Sequence, residues 1–295
     1  MSNSKYAAFA AAVETGSLTR AAAQLGYTQS GVSHLIRALE DELGLPLLLR
    51  TRGGVTLTPE GRELLPHIRQ LLSAERDMLH LCESLRGLSA GTVCVGTFSS
   101  VAIAWMPELT RRFALLHPGV RIDILNGTYS VVEEALLCDR VDCAFVAMPS
   151  REEFAATPLL RDRLMALLPV DSPLAGRREV TARQLAALPY IVPAEGTEYD
   201  AGRFFARAGQ TPQVRFNAGD DYAAVALARK GLGFTVLPEL LLQDLALNGL
   251  CAVPLSGAER EIALAVSRAR CPSPALSTFL QFVQDVLPSI TEQAH

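Results

Sequence analysis

The sequence predicts an α/β protein in three parts: a small helical head with a strand hairpin, one long helix, and a larger body of alternating strands and helices. Three observations predict it. Over the first 43 residues, apolar positions recur at i, i+3, i+4 and i+7 in three successive stretches. A single apolar seam then runs from Leu64 to Leu85 at spacings of 4, 3, 4, 3, 4 and 3. Beyond Gly91, short apolar runs alternate with helical patterns, the rhythm of a parallel sheet with crossover helices.

The first helix is expected over residues 4–15, with Tyr6, Phe9, Ala10 and Val13 on one face and Gly16 at its end. Leu18, Ala21, Ala22 and Leu25 mark a short second helix. Val32, Leu35, Ile36, Leu39 and Leu43 mark a longer third one. Only Gly26, Tyr27 and Thr28 separate them: a glycine suited to a left-handed stop and a hydroxyl suited to a cap. Two amphipathic helices joined so tightly form a helix-turn-helix. The leading, outer side of the later helix carries Gln29, Ser30, Ser33, His34 and Arg37. Such side chains reach base edges or phosphates from within a major groove, so this segment is expected to read DNA. A merely solvated helix face is the plainer alternative for Gln29 and Ser33.

Gly44 and Pro46 then break the helix. Leu47–Leu49 and Val55–Leu57 read as short strands about a Gly53-Gly54 turn, a wing bearing Arg50 and Arg52 as phosphate or minor-groove contacts. Thr58-Pro59-Glu60 combines a capping hydroxyl, a proline at the first helical position and an acid in the first turn. The helix it starts runs to about Arg86. Its seam is Leu64, Ile68, Leu71, Glu75, Met78, Cys82 and Leu85, widened by Leu65, Leu72 and Leu79. Pairing with a second chain would cover such a seam; packing on its own chain is the alternative. Pro66 should bend this helix or mark its firm start.

Gly87–Gly91 is a linker. Strands follow at Thr92–Phe98, Val120–Leu125 and Cys143–Met148, with helices at Val101–Leu116 and Val131–Leu137 between them. An apolar stretch at Leu159–Pro169 leads into a second series. That series has helices near 181–187, at Ala201–Ala208 and at Tyr222–Arg229, and strands at Tyr190–Val192, Val214–Phe216 and Phe234–Leu237. After Ile262–Ser267, a last helix at 274–287 should return to the first α/β unit. Two α/β lobes joined by crossing strands leave a cleft for a small ligand.

Bulk properties bound the partners. A net charge of −4 over 295 residues argues against binding polyanions along the whole length, though not against one DNA-contacting head on an acidic body. Among 27 basic residues only Lys5 and Lys230 are lysines, and arginine suits bidentate phosphate and base contacts. Compositional bias of a genome would give the same balance. The six cysteines have no C-x-x-C or Cys/His metal spacing, and buried inert thiols explain them better than a redox switch. The N-terminus has no signal-peptide core and no apolar run reaches the ~20 residues of a bilayer span. A reduced cytoplasmic setting, away from membranes, is the expectation.

The run A-A-A-Q-L-x-x-T-Q-S-x-V-S-x-x-I-R-x-L-E-x-E-L-G-x-P-L-x-x-R, followed by L-T-P-E-G, resembles the LysR-type transcriptional regulators. Further on, N-G-T-x-x-x-x-x-E-A-L-L-x-x-R-V-D-C-A-F-V and A-R-K-G-L-G-F-T-V-L-P are similar to that family's second strand–helix–strand and its late helix–strand turn. The resemblance implies a winged helix-turn-helix DNA-binding domain over 1–58 and a linker dimerisation helix over 59–88. It implies a two-lobed α/β effector-binding domain over 89–295, similar to periplasmic solute-binding proteins. Lobe I would span about 91–162 and 268–295, and lobe II about 163–267. The implied protein is a sequence-specific regulator that binds double-stranded promoter DNA as a dimer or a dimer of dimers. It senses a small-molecule effector of unknown identity, with no cofactor and no metal.

Carried over by position, the resemblance places Thr28, Gln29, Ser30, Ser33, His34, Arg37, Arg50 and Arg52 at the DNA. His34 and Gly31 depart from the family pattern. Histidine carries less charge than Arg or Lys near neutral pH, and Gly31 should loosen the helix start by roughly 1 kcal/mol against alanine. In the effector domain, Ser99, Ser100, Thr128, Met148, Pro193 and Ala194 are the implied cleft positions. Plain helix capping would equally explain the three hydroxyls. Glu195, Glu198, Asp200, Asp220 and Asp221 could also face the cleft and favour an amine, a zwitterion or a metal. Asp200 and Asp220 read more simply as helix N-caps and Asp221 as a partner of the helix dipole. Arg203 could still neutralise an anion. An enzyme is disfavoured because no G-x-S-x-G, phosphate-binding glycine loop or H-E-x-x-H is present. A solute-binding protein lacks its signal peptide here, and a helix-turn-helix used only for protein contact leaves the Gln/Ser/Arg set without a purpose.

Overall fold

The computed structural model describes residues 3–51, 54–85, 91–193, 197–243 and 245–293. The chain divides into two compact units, essentially Met1–Arg86 and the remainder from Gly87.

In the first unit, α1 (Ser4–Thr15), α2 (Leu18–Leu25) and α3 (Gln29–Leu43) precede β1 (Leu48–Thr51), β2 (Gly54–Leu57) and α4 (Pro59–Leu85). The apolar faces read from the sequence meet in one core that buries Phe9, Ala21, Val32, Ile36, Leu39 and Leu47. Gly26 ends α2 at φ 69°, the left-handed conformation the tight turn requires, and Thr28 accepts a hydrogen bond from the Gly31 N–H at the start of α3. The hairpin pairs Leu48 with Leu57 and Thr51 with Gly54.

Two short-range locks seat the hairpin against the helices. The Glu40 carboxylate, on α3, accepts from the backbone N–H of Leu47 at 2.7 Å and of Leu48 at 3.1 Å. Thr58 is buried; its hydroxyl donates to the Pro46 carbonyl at 2.8 Å and accepts from the Gly61 N–H at 2.9 Å. A Cβ on Gly61 would lie 2.2 Å from the Leu47 carbonyl oxygen, so only glycine fits there. The run L-T-P-E-G therefore caps α4 and lets it approach the wing.

The α4 helix continues through Pro66. Its seam divides in a way the spacing did not reveal. Leu65 and Ile68 are buried in the core of the first unit, with Leu64 and Leu72 packed against it. Leu71, Met78 and Leu79 are exposed, Met78 at 52% and Leu79 at 54%. Among the described residues, the first part of the seam thus packs within its own chain and Leu71, Met78 and Leu79 are open; the Leu85 side chain lies outside the described residues.

The second unit contains β3 (Gly91–Thr97), α5 (Ser99–Ala104), α6 (Met106–Leu116), β4 (Val120–Asn126), α7 (Tyr129–Leu137), β5 (Cys143–Ala147) and β6 (Phe154–Pro169). Next come α8 (Ala182–Leu185), β7 (Pro189–Val192), α9 (Thr197–Arg207), β8 (Gln213–Asn217), α10 (Asp221–Arg229), β9 (Thr235–Pro238) and α11 (Glu239–Leu242). It ends with β10 (Leu250–Ser267) and α12 (Pro274–Gln293). Six strands form one sheet in the order β4-β3-β5-β10-β6-β9, and β7 pairs with β8 in a parallel ribbon.

Two expectations need correction. The single helix over 101–116 is two helices, α5 and α6, parted at the buried Trp105, because Pro107 has no N–H to continue the ladder. The return to the first lobe also occurs earlier than residue 268. The 18-residue β10 pairs with β6 along both lobes, through Leu250–Pro254 and again through Glu259–Ser267, with a register shift between them. Past that shift, Ile262–Ala265 pair with β5, and Ile262 and Leu264 join the first-lobe core around Trp105 and Phe145. The earlier part of β10 contributes Val253 and Leu255 to the second-lobe core with Phe205 and Phe234. One strand, β10, thus supplies both cores. A strand has no chemical mark where it passes from one core to the next.

Candidate nucleic-acid interface and effector cleft

Thr28, Gln29, Ser30, His34 and Arg37 are all exposed along the leading side of α3. The Thr28 hydroxyl bonds with both the Gly31 N–H at 3.1 Å and the Ser30 hydroxyl at 3.1 Å, so it orders the first turn of that face. Gly31 has a local reason: a Cβ there would lie 3.2 Å from the same hydroxyl. An alanine there would require the Thr28 hydroxyl to shift by a few tenths of an ångström. Ser33 does not join the outward row; it is 8% exposed, on the core side beside Val32 and Ile36. Arg50 is placed on β1, while its side chain, and all of Arg52, lie outside the described residues.

In the second unit a buried polar cluster lies where the two lobes meet. Arg260 on β10 is directly across the ladder from Asp162 on β6. Its Nε and Nη2 donate to Asp162 Oδ2 at 2.9 and 2.6 Å, and Asp162 Oδ1 accepts from the Leu240 N–H at 2.9 Å. Nη2 also donates to the Ser100 hydroxyl at 2.6 Å, and Nη1 donates to the Tyr129 hydroxyl at 2.5 Å. The Arg260 guanidinium lies 5.1 Å from the centroid of Phe98, whose ring meets Tyr129 edge-on at 4.9 Å. Tyr129 in turn donates to Asp200 Oδ2 at 2.8 Å, and Asp200 is 4.0 Å from Arg260 Nη1. Groups from α5, α7, α11, β6 and β10 thus form one cluster, and its Tyr129 and Arg260 meet one carboxylate from α9.

The electrostatics follow from burial and pairing. Removal from water works against the Arg260 charge, but Tyr129, Asp162 and Asp200 outweigh it and hold the guanidinium more firmly protonated than usual. Burial pushes the Tyr129 phenol well above its ordinary value, so it stays a neutral donor. Burial also raises Asp200, against the pull of Arg260, Tyr129 and Arg203. Arg203 lies one helical turn beyond Asp200, and its Nη1 is 3.5 Å from the Met148 carbonyl. Beside Asp200 opens a cavity of about 190 Å³, lined among others by Arg203, Phe204, Arg207, Ser256 and Glu259.

The sequence-predicted cleft residues divide. Ser100 is buried in the cluster, whereas Ser99 is half-buried and opens α5 without a side-chain cap. Thr128 caps α7, accepting from the Val131 N–H at 3.3 Å and bonding Ser130 at 2.9 Å; the next residue, Tyr129, enters the cluster. Met148 offers its carbonyl to Arg203, Pro193 is buried after β7, and Ala194 lies outside the described residues. Of the acids, Asp220 is an N-cap as expected, accepting from Ala223 at 2.8 Å. Asp200 is not: it lies inside α9 and points at Tyr129. Glu195 and the Glu198 side chain are outside the described residues. Among the described residues no acidic, histidine or cysteine cluster could hold a metal ion, and no helix is long and apolar enough to cross a membrane.

Comparison with known proteins matches these two units to two family descriptions. Residues 4–62 match "Bacterial regulatory helix-turn-helix protein, lysR family", and residues 86–288 match "LysR substrate binding domain". The chain belongs to the LysR family. It is a DNA-binding transcriptional regulator with an effector-binding domain, not an enzyme. LysR-family relatives extend over almost the whole length. The uncharacterized regulator YvbU of Bacillus subtilis is 30% identical, covering 94% of this chain and 96% of its own. The RuBisCO operon transcriptional regulator of Allochromatium vinosum is 32% identical over 93% of each chain. Full-length CbnR, solved in complex with its target DNA, shares the fold at a TM-score of 0.66 and 22% identity, covering 97% of this chain and 99% of that one.

Within this LysR-family chain, the residues missed from the sequence are Tyr129, Asp162 and Arg260. A signal existed. R-D-R at 161–163 lies antiparallel to E-R-E at 259–261, pairing Arg163 with Glu259, Asp162 with Arg260 and Arg161 with Glu261. The Asp162–Arg260 pair, with Arg161 near both Glu259 and Glu261, favours one register for two strands nearly a hundred residues apart, while Arg163 pairs with Glu239 instead.

Proposed function

We propose that the regulator binds promoter DNA through the exposed row Thr28, Gln29, Ser30, His34 and Arg37, with Arg50 and Arg52 of the wing on flanking phosphates. Ser33 supports that surface from beneath. Functional boundaries of 1–58 for the reading head, 59–88 for the pairing helix and 89–295 for the sensor follow from this reading. The open half of the α4 seam, Leu71, Met78 and Leu79, suits pairing with a second copy. Two heads would then meet a site of imperfect dyad symmetry. A dimer of dimers in the cytoplasm is the assembly this reading favours. A small metabolite would enter between the lobes near Ser99, Ser100, Thr128, Met148, Pro193 and Ala194, shift the populations of two assemblies, and so alter head spacing.

The observation that carries the reading is an ordered, solvent-facing polar row on a helix that is otherwise packed into a core. The test is the salt dependence of binding to the promoter DNA. Arg37→Ala and Arg50→Ala should each weaken affinity and lower the slope of log K against log salt by about 0.9. An unchanged slope in either variant removes that arginine from the phosphate contacts.

A further inference from the structure

The buried cluster holds one carboxylate more than its pairing needs. Arg260 and Asp162 already neutralise each other through two short hydrogen bonds and share a cross-strand register. Asp200 comes from α9 in the other lobe and is 6% exposed. It touches the pair only through the Tyr129 hydroxyl and at 4.0 Å from Arg260. A phenol donor, a guanidinium edge and a nearby second arginine are the groups that recognise a free carboxylate. Burial makes the ionised Asp200 side chain costly where it is, and the cavity of about 190 Å³ adjoins it on the side of Arg203 and Phe204.

We propose that Asp200 is a built-in counter-ligand, occupying the place taken by the carboxylate of a small organic acid when the effector binds. The proposal rests on the reading of this cleft as the effector site. An incoming acid replaces Asp200 as acceptor of the Tyr129 O–H and faces Arg260 and Arg203. Its apolar part fills the adjoining cavity beside Phe204. Asp200 is released to water, and the link from α9 to α7 is broken. A contact that joins the lobes is thus one the ligand must take over, which couples binding to lobe movement. A ligand without an acidic group would leave Asp200 and Tyr129 joined.

The test uses full-length protein and acetate, with sodium chloride at matched ionic strength as the control. In Asp200→Ala, acetate should raise the melting temperature saturably, at a half-saturating concentration about tenfold or more below that of wild type, and chloride should not. Adding Tyr129→Phe should abolish the effect. Asp200→Asn keeps the place filled by a neutral amide and should need an intermediate acetate concentration. It also serves if the alanine variant does not fold. Equal half-saturation in wild type and the folded variants overturns the proposal. Binding of promoter DNA, followed in the same titrations, separates the two readings. Saturable acetate binding with no change in DNA binding supports the counter-ligand and overturns the cleft as effector site.

Discussion

The reading head and the sensor body keep the side chains proposed to act in opposite conditions. In the head, Gln29, Ser30, His34 and Arg37 are exposed and come from one short run on one helix. In the body, Ser100, Tyr129, Asp162, Asp200 and Arg260 are drawn from five separate stretches and are largely removed from water. The head can afford polar contacts because its partner arrives from outside with its own charges. The body must satisfy its buried polar groups internally, so its proposed binding site is also part of what joins its lobes. Changes to the head row should therefore alter affinity and little else. Changes to the cluster should alter stability and response together.

The largest effect expected from this contrast is at Arg260. Arg260→Ala leaves Asp162 buried without its partner and should destabilise the sensor unit by about 3–5 kcal/mol in denaturant unfolding, while the head transition stays in place. The double change Arg260→Met with Asp162→Leu should recover most of that loss. A double variant as unstable as the single one would mean that the cluster is not an electrostatic unit. A smaller effect is expected in the head, where structure rather than charge is at stake. Gly61→Ala forces a Cβ towards the Leu47 carbonyl and should cost about 1–3 kcal/mol, by displacing α4 from the wing. Wild-type stability in that variant would show that the helix can slide.

The smallest effect sharpens the comparison through pH. The folded protein holds Asp200 above the ordinary aspartate value of 3.8, chiefly by burial, with Tyr129, Arg260, Arg203 and Asp162 as its charged or titratable neighbours. A raised acid binds its proton more tightly when folded. Its contribution to stability is complete below 3.8 and is lost as pH rises through the folded value. Asp200→Asn should therefore gain on wild type as pH rises from 4 to 7, with a melting-temperature advantage of a few degrees at most. An advantage that is constant with pH would mean that Asp200 is not titrating in this window.

Much of the head was legible because its code is local. Gly26 and Thr28 set the turn, and Thr58-Pro59-Glu60 set the start of α4, through neighbours within four residues. Ser33 escaped because helical spacing locates a residue on a face only to within part of a turn, and the packing of Val32 and Ile36 drew it inward. The spacing of the α4 seam was legible, but which part of it packs within the chain depends on where Leu65 and Ile68 meet the core. In the body, Ser100 was found for its place after a strand and Thr128 for the same reason, yet only Ser100 reaches the cluster.

By itself, the sequence determined the class of the protein: a helix-turn-helix with a wing, a long helix and alternating α/β lobes, each stated in periodicities and caps a few residues long. The tertiary structure alone decided which polar groups meet. Arg260 finds Asp162 because β10 and β6 run antiparallel at one register, and Asp200 reaches Tyr129 because α9 of one lobe comes beside α7 of the other. Those distances are set by the packing of whole sheets, and no local spacing records them. An ionised side chain within an apolar strand shows only that a partner is required; the fold supplies the partner.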